Sequence, residues 1–127
     1  MAKVAIIGLG RMGMLHLMNC LKLDDVEVVA AADSSKKGMS RAKALGVKNV
    51  YADYHEIFNH PSDLDAVVLS LPNFMHFESI KLSLEAGLNV FAEKPLATSV
   101  GECQEIVRLV QKSGKQLMVG HAMRFVE

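Results

Sequence analysis

Two features near the start of this 127-residue chain have the residue types and spacing to hold a phosphorylated ligand. Gly8-Leu9-Gly10-Arg11-Met12-Gly13 is a GxGxxG pattern lying between an apolar run and a segment of helical period. Such a loop suits a pyrophosphate. Its first glycine permits a tight turn, its second lets the anion approach the backbone, and its third lets a helix pack close to a strand. The amides of Arg11 and Met12 are then expected to point at phosphate, with the positive end of the helix dipole behind them. Twenty residues beyond Gly13, at the end of the next apolar run, stands Asp33. A carboxylate there accepts both hydroxyl hydrogens of an adenosine ribose and repels a ribose phosphate. The spacing therefore predicts NAD, while Lys36 and Lys37 close behind leave NADP open. A glycine turn followed by a helix-capping aspartate would use the same residue types. It gives no reason for turn, strand, helix and acid to coincide at these intervals.

The elements that must position these groups are legible from periodicity. Short β-branched runs at residues 3–8, 27–33, 49–52, 66–71, 89–92 and 116–120 read as strands, and the longer segments between them as helices. The helices carry stripes such as Met14, Leu17, Met18 and Leu21, or Val100, Cys103, Val107 and Val110, at the spacing of one buried face. Ser99 with Glu102 and Asp53 with Glu56 have capping-box spacing, and Gly46, Gly87 and Gly114 stand where left-handed helix ends are wanted. Right-handed crossovers through this order give an α/β fold of the Rossmann type. Its doubly wound, mainly parallel six-stranded sheet has helices on both faces and strand order 3-2-1-4-5-6. The ligand crevice of that fold lies beyond the carboxyl ends of strands one and four, so Ser70-Leu71-Pro72 and Ala92-Glu93-Lys94-Pro95 face it too. Pro95 has no donor; its use is to end the strand and fix the backbone on which Lys94 sits, and a cis Lys94-Pro95 peptide is conceivable.

With Pro72-Asn73-Phe74-Met75-His76 and Glu93-Lys94-Pro95 following the glycine loop, the chain resembles the glucose-fructose oxidoreductase and inositol dehydrogenase family (Gfo/Idh/MocA) over essentially its whole length. The resemblance implies nicotinamide-dependent oxidation of a secondary alcohol on a sugar, cyclitol or related polyol, or the reverse reduction. It assigns to Lys94 a hydrogen bond to the reacting hydroxyl, where a cation would stabilise alkoxide character as hydride leaves. It places Glu93 near the nicotinamide ribose, Asn73 and His76 along the cofactor crevice, and Arg124 at the cofactor or domain junction. The plainer alternatives are a solvated Lys94 paired with Glu93, and a helix start capped by Asn73 with His76 in its first turn. The family continues into a second domain that holds most of the substrate pocket. Residues 1–127 thus read as the dinucleotide-binding domain alone, able to bind nucleotide but incomplete for catalysis.

Composition narrows the remaining classes. Fourteen Lys and Arg balance fourteen Asp and Glu, so no field draws the chain to nucleic acid or an anionic membrane. Cys20 and Cys103 read as reduced core residues, and His16, His55, His60 and His121 lack ligand spacing, so no metal is expected. No apolar run has the length of a signal peptide or a bilayer span, which points to the cytoplasm. An uncovered crevice edge and sixth strand predict self-association into a homo-oligomer. Two other readings compete. A non-catalytic NAD-binding redox sensor or regulatory module would explain the missing substrate domain. A methyltransferase using S-adenosylmethionine also has a glycine loop and an acid, but gives no reason for Glu-Lys-Pro.

Overall fold

Parallel pairing joins six strands in a computed structural model that describes residues 1–120. In chain order the elements are β1 (Ala2–Ile7), α1 (Arg11–Leu21), β2 (Val26–Ala32), α2 (Lys36–Ala44), β3 (Asn49–Tyr51), β4 (Ala66–Leu69), α3 (His76–Glu85), β5 (Asn89–Glu93), α4 (Val100–Ser113) and β6 (Leu117–Gly120). Short 3-10 helices at Tyr54–Asn59, Pro61–Asp63 and Asn73–Met75 fill the connections. The strand order is β3-β2-β1-β4-β5-β6, and every pair is parallel, as the alternation of runs and helical segments predicts. Strand ends differ from the sequence expectation by one or two residues. β4 stops at Leu69, and Asp33 lies just past the end of β2.

The period-2 alternation of the strands divides the core between two faces. Ala5, Ile7, Ala32, Val67, Leu69, Val90 and Ala92 pack with Ile80 and Leu84 of α3 and Ile106 and Leu109 of α4. Val4, Ile6 and Ala31 pack on the opposite face with Met14 and Leu17 of α1 and Ala42 of α2. One consequence matters for the site. On β5, Phe91 and Glu93 take the parity opposite to Val90 and Ala92, so they lie on the α1 side of the sheet.

Three expectations about the helices need correction. On α4 the buried face is Ile106 and Leu109, whereas Val100 and Val107 are 74% and 53% exposed. Both sets satisfy helical spacing, and only the position of the sheet chooses between them. On α1 the buried face is narrower than the stripe: Met14 and Leu17 are inside, Met18 and Leu21 are exposed. Cys20 and Cys103 are half-buried free thiols rather than core residues. The helix ends follow expectation more closely. Ser99 Oγ accepts the Glu102 N–H at 3.1 Å, although the Glu102 carboxylate accepts from Thr98 Oγ1 instead of closing the box. Gly46, Gly87 and Gly114 all have positive φ. Among the described residues no helix is long and apolar enough to cross a membrane.

Candidate functional site

Beyond the carboxyl ends of β1, β2 and β4 the chain encloses a crevice of about 740 Å³. Gly8, Gly10, Arg11 and Met12 line its floor, Asp33 and Ser34 one wall, and Ser70, Leu71 and Pro72 the other. The three loop glycines have different physical reasons. Gly8 has φ +94°, and a Cβ there would stand 2.2 Å from the Ser70 carbonyl oxygen. A Cβ on Gly13 would stand 1.8 Å from the Gly8 carbonyl oxygen, which is the close helix-to-strand approach the pattern predicts. Gly10 is unlike both. Its φ of −70° and ψ of −162° suit any residue, and a Cβ there would meet nothing within 4 Å. Nothing among the described residues requires glycine at this position, which opens on the crevice.

Gly10 is also the N-cap of α1, whose first turn holds no acidic residue and receives no side-chain cap. The first amides of that helix, those of Arg11 and Met12 among them, therefore end at the crevice as free donors for an anion. Asp33 is held against the same loop. Its Oδ1 accepts the Leu9 N–H at 3.0 Å, and its Oδ2 accepts the Ser35 N–H at 3.1 Å and the Ser35 hydroxyl at 2.5 Å. Burial pushes this carboxyl up, but the Ser35 hydroxyl and the two N–H donors outweigh it and hold it below the ordinary range. The acid thus stays ionised at neutral pH, and with these three bonds made, one of its roughly four lone-pair sites is left for a further donor. It does not cap α2: Ser35 does, accepting the Gly38 N–H at 3.1 Å.

Other residues singled out from the sequence divide into those on the crevice and those beneath it. Leu71 and Pro72 line it. Asn73 is exposed, begins a 3-10 turn and caps neither that turn nor α3, whose N-cap is Met75. His76 does not line the crevice. It is 1% exposed in the first turn of α3, and its Nε2–H donates to the Leu71 carbonyl at 2.9 Å, so it holds up the crevice wall from below. Lys94 is exposed at the end of β5, joined to Pro95 by a cis peptide. Glu93 is paired with His16 of α1 rather than with Lys94, with Oε1 2.6 Å from the imidazole Nε2. Arg124 lies outside the described residues.

The wall on the β2 and β3 side contains groups that sequence reasoning missed. Ala52, Asp53, Tyr54 and His55, after β3, complete the crevice. His55 stacks on Tyr54 with ring centroids 4.3 Å apart. Its Nδ1–H donates to Asp53 Oδ1 at 2.6 Å and its Nε2–H to Glu78 Oε1 of α3 at 2.8 Å. The only available signal was Asp53 itself, legible as a cap; the reach to Glu78 is tertiary. The Glu78 and Asp53 carboxylates raise the His55 pKa above its ordinary value. Hydrogen bonds from the His55 backbone and ring lower that of Asp53. A raised histidine contributes stability that is full below its unfolded value of about 6.5 and is lost as pH rises through the folded value. The His55→Ala variant should therefore melt below the unaltered chain at pH 5.5–6 and converge with it above pH 8. Because both partners are exposed, thermal denaturation should show a gap of only about 1–2 °C.

Residues 2–121 match Gfo/Idh/MocA, described as an oxidoreductase family with an NAD-binding Rossmann fold. Over 125 residues the chain is 38% identical to inositol 2-dehydrogenase of Klebsiella pneumoniae (strain 342), covering 96% of this chain and 37% of that protein. It is 34% identical over 121 residues to 2,7-anhydro-N-acetylneuraminate hydratase of Mediterraneibacter gnavus, covering 95% of this chain and 32% of that protein. The crystal structure of scyllo-inositol dehydrogenase from Lactobacillus casei with bound NAD(H) and scyllo-inositol superimposes with a TM-score of 0.91 at 29% identity. It covers 99% of this chain and 38% of that one. The chain spans about a third of the length of the curated relatives it matches. The glycine loop, Asp33 and the Glu-Lys-Pro strand end stand at the carboxyl ends of one parallel sheet, and with residues 2–121 matched the chain belongs to the Gfo/Idh/MocA oxidoreductases.

Proposed function

We propose that this chain is the NAD-binding domain of a dehydrogenase acting on a secondary alcohol of a sugar, cyclitol or related polyol. The observation that carries the reading is Gly10: a glycine that no contact among the described residues demands, set between the uncapped start of α1 and the ionised Asp33. That is the place where only an external group gains from a missing Cβ. A pyrophosphate on the Arg11 and Met12 amides and a ribose on Asp33 use every feature of the crevice floor. The nicotinamide then falls on the β4 and β5 side, where Lys94 stands. Bound NAD supplies the hydride acceptor. Lys94 hydrogen-bonds the hydroxyl and stabilises negative charge on its oxygen, and Glu93, Asn73 and Arg124 belong to the nicotinamide end and the domain junction.

Substrate class rests on the inositol dehydrogenases among the relatives. Turnover requires residues that shield the nicotinamide and orient the alcohol, so residues 1–127 alone bind nucleotide without full catalysis. NAD is favoured over NADP because the Asp33 carboxylate repels a ribose phosphate. Half-buried free thiols suit a reducing, cytoplasmic setting. Exposed Val100, Val107 and Met118, together with the outer edge of β6, support self-association.

Calorimetric titration with NAD and NADP tests the reading. Saturable NAD binding is expected, weaker for NADP, with a loss of at least about tenfold in the Asp33→Ala variant, or about 1.4 kcal/mol. Unchanged NAD affinity in a variant that remains folded would remove Asp33 from the site.

A further inference from the structure

His16 has no place in the readings above, yet it touches the strand end that carries Lys94. It lies on α1, the helix that begins at the phosphate loop, and bridges 77 residues of sequence to Glu93 at the end of β5. The contact is short, 2.6 Å between Nε2 and Glu93 Oε1, and the two side chains are only 21% and 16% exposed. The imidazole also sets its edge against Phe91, with ring centroids 5.3 Å apart and planes at 67°. On the far side the Glu93 carboxylate is bounded by β6. A Cβ on Gly120 would come within 3.0 Å of the Phe91 ring and 3.3 Å of Glu93 Oε1. The carboxylate therefore sits in a slot with one partner available from α1, and that partner is the His16 N–H. Hydrogen bonds to a charged acceptor in partial shelter from water are the stronger kind.

We infer that His16 is a positioning residue: through Glu93 it fixes the end of β5, and so the backbone of Lys94, relative to the phosphate loop. The inference rests on the NAD reading and deepens it. The sheet order places Asp33 on the β2 side of β1 and Glu93 on the β4 and β5 side, so on the NAD reading the first stands at the adenosine end and the second at the nicotinamide end. A clasp from α1 to β5 thus ties the helix that starts at the pyrophosphate loop to the strand end beside the nicotinamide, and leaves the adenosine half untouched. Without it the half-buried carboxylate loses its donor and turns toward solvent or Lys94, which releases the strand end.

ADP, which lacks the nicotinamide and its ribose, separates this role from general structural support. Dissociation constants for NADH and ADP should be measured on the full chain, its His16→Ala variant and its His16→Gln variant, in which the amide N–H can still reach Glu93. The expected result is about tenfold weaker NADH binding by His16→Ala, ADP affinity within twofold of the unaltered chain, and recovery of most of the NADH affinity by His16→Gln. Equal weakening of both ligands, or no change in either, would overturn the inference. Failure of the unaltered chain to bind either ligand would instead overturn the NAD reading beneath it.

Discussion

The Gly13→Ala substitution should destabilise the fold by at least about 3 kcal/mol, a large share of the 5–15 kcal/mol available to a typical domain. The added methyl would sit 1.8 Å from the Gly8 carbonyl oxygen and 3.5 Å from the Ser70 Cβ. Neither backbone can yield cheaply. Gly8 closes the turn after β1, its N–H donates to the Ala32 carbonyl at 2.8 Å, and its own position is locked against Ser70. Relief requires α1 to lift from the sheet, which would uncover Met14 and Leu17 and the Val4, Ile6 and Ala31 face beneath them. Urea denaturation should show a lower midpoint with little change in slope, or no folded baseline at all. An unfolding free energy within about 0.5 kcal/mol of the unaltered protein would mean that the helix does not approach the strand as described.

Gly10→Val should do the reverse: leave the fold standing and abolish the ligand. The backbone at Gly10 is extended, a conformation valine favours, and its Cβ meets no atom of the described residues within 4 Å. The stability cost is that of valine for glycine at an N-cap, about 1 kcal/mol or less. The side chain would occupy the space over the Arg11 and Met12 amides that a pyrophosphate needs. NAD affinity should then fall by at least about a hundredfold, equivalent to about 2.8 kcal/mol. Calorimetry alongside thermal denaturation separates the two effects. Retained NAD affinity in this variant would move the pyrophosphate away from the loop. The contrast between positions 10 and 13 is the sharper test, because one motif contains both residues and only their surroundings distinguish them.

Local order carried most of the architecture. Strand runs spaced by helical segments require parallel crossovers of one hand, and the glycine loop after the first strand points to the dinucleotide-binding order β3-β2-β1-β4-β5-β6 among those that hand allows. The glycine loop and Asp33 were readable because their chemistry depends on short-range spacing: a turn, the helix start after it, and an acid one strand further on. Glu-Lys-Pro and Pro-Asn-x-x-His were readable as motifs, but the work of their members was not. His76 supports the Leu71 carbonyl from inside, and Glu93 turns to α1 instead of to its neighbour Lys94.

Those differences have a common physical cause. Periodicity states that a face of α4 is buried without stating which one, since Val100, Cys103 and Val107 fit the same spacing as Ile106 and Leu109. Only the sheet against which the helix lies decides. The same holds for His16 with Glu93 and for His55 with Glu78, pairs separated by 77 and 23 residues. A hydrogen bond depends on a few tenths of an ångström and on direction, and those are set by strand parity and helix packing rather than by spacing along the chain. The sequence by itself thus determined the fold class, the family and the candidate residues for a phosphate and a ribose. The tertiary structure decided which polar side chains meet, because these partners are brought together only when the sheet and its helices close around them.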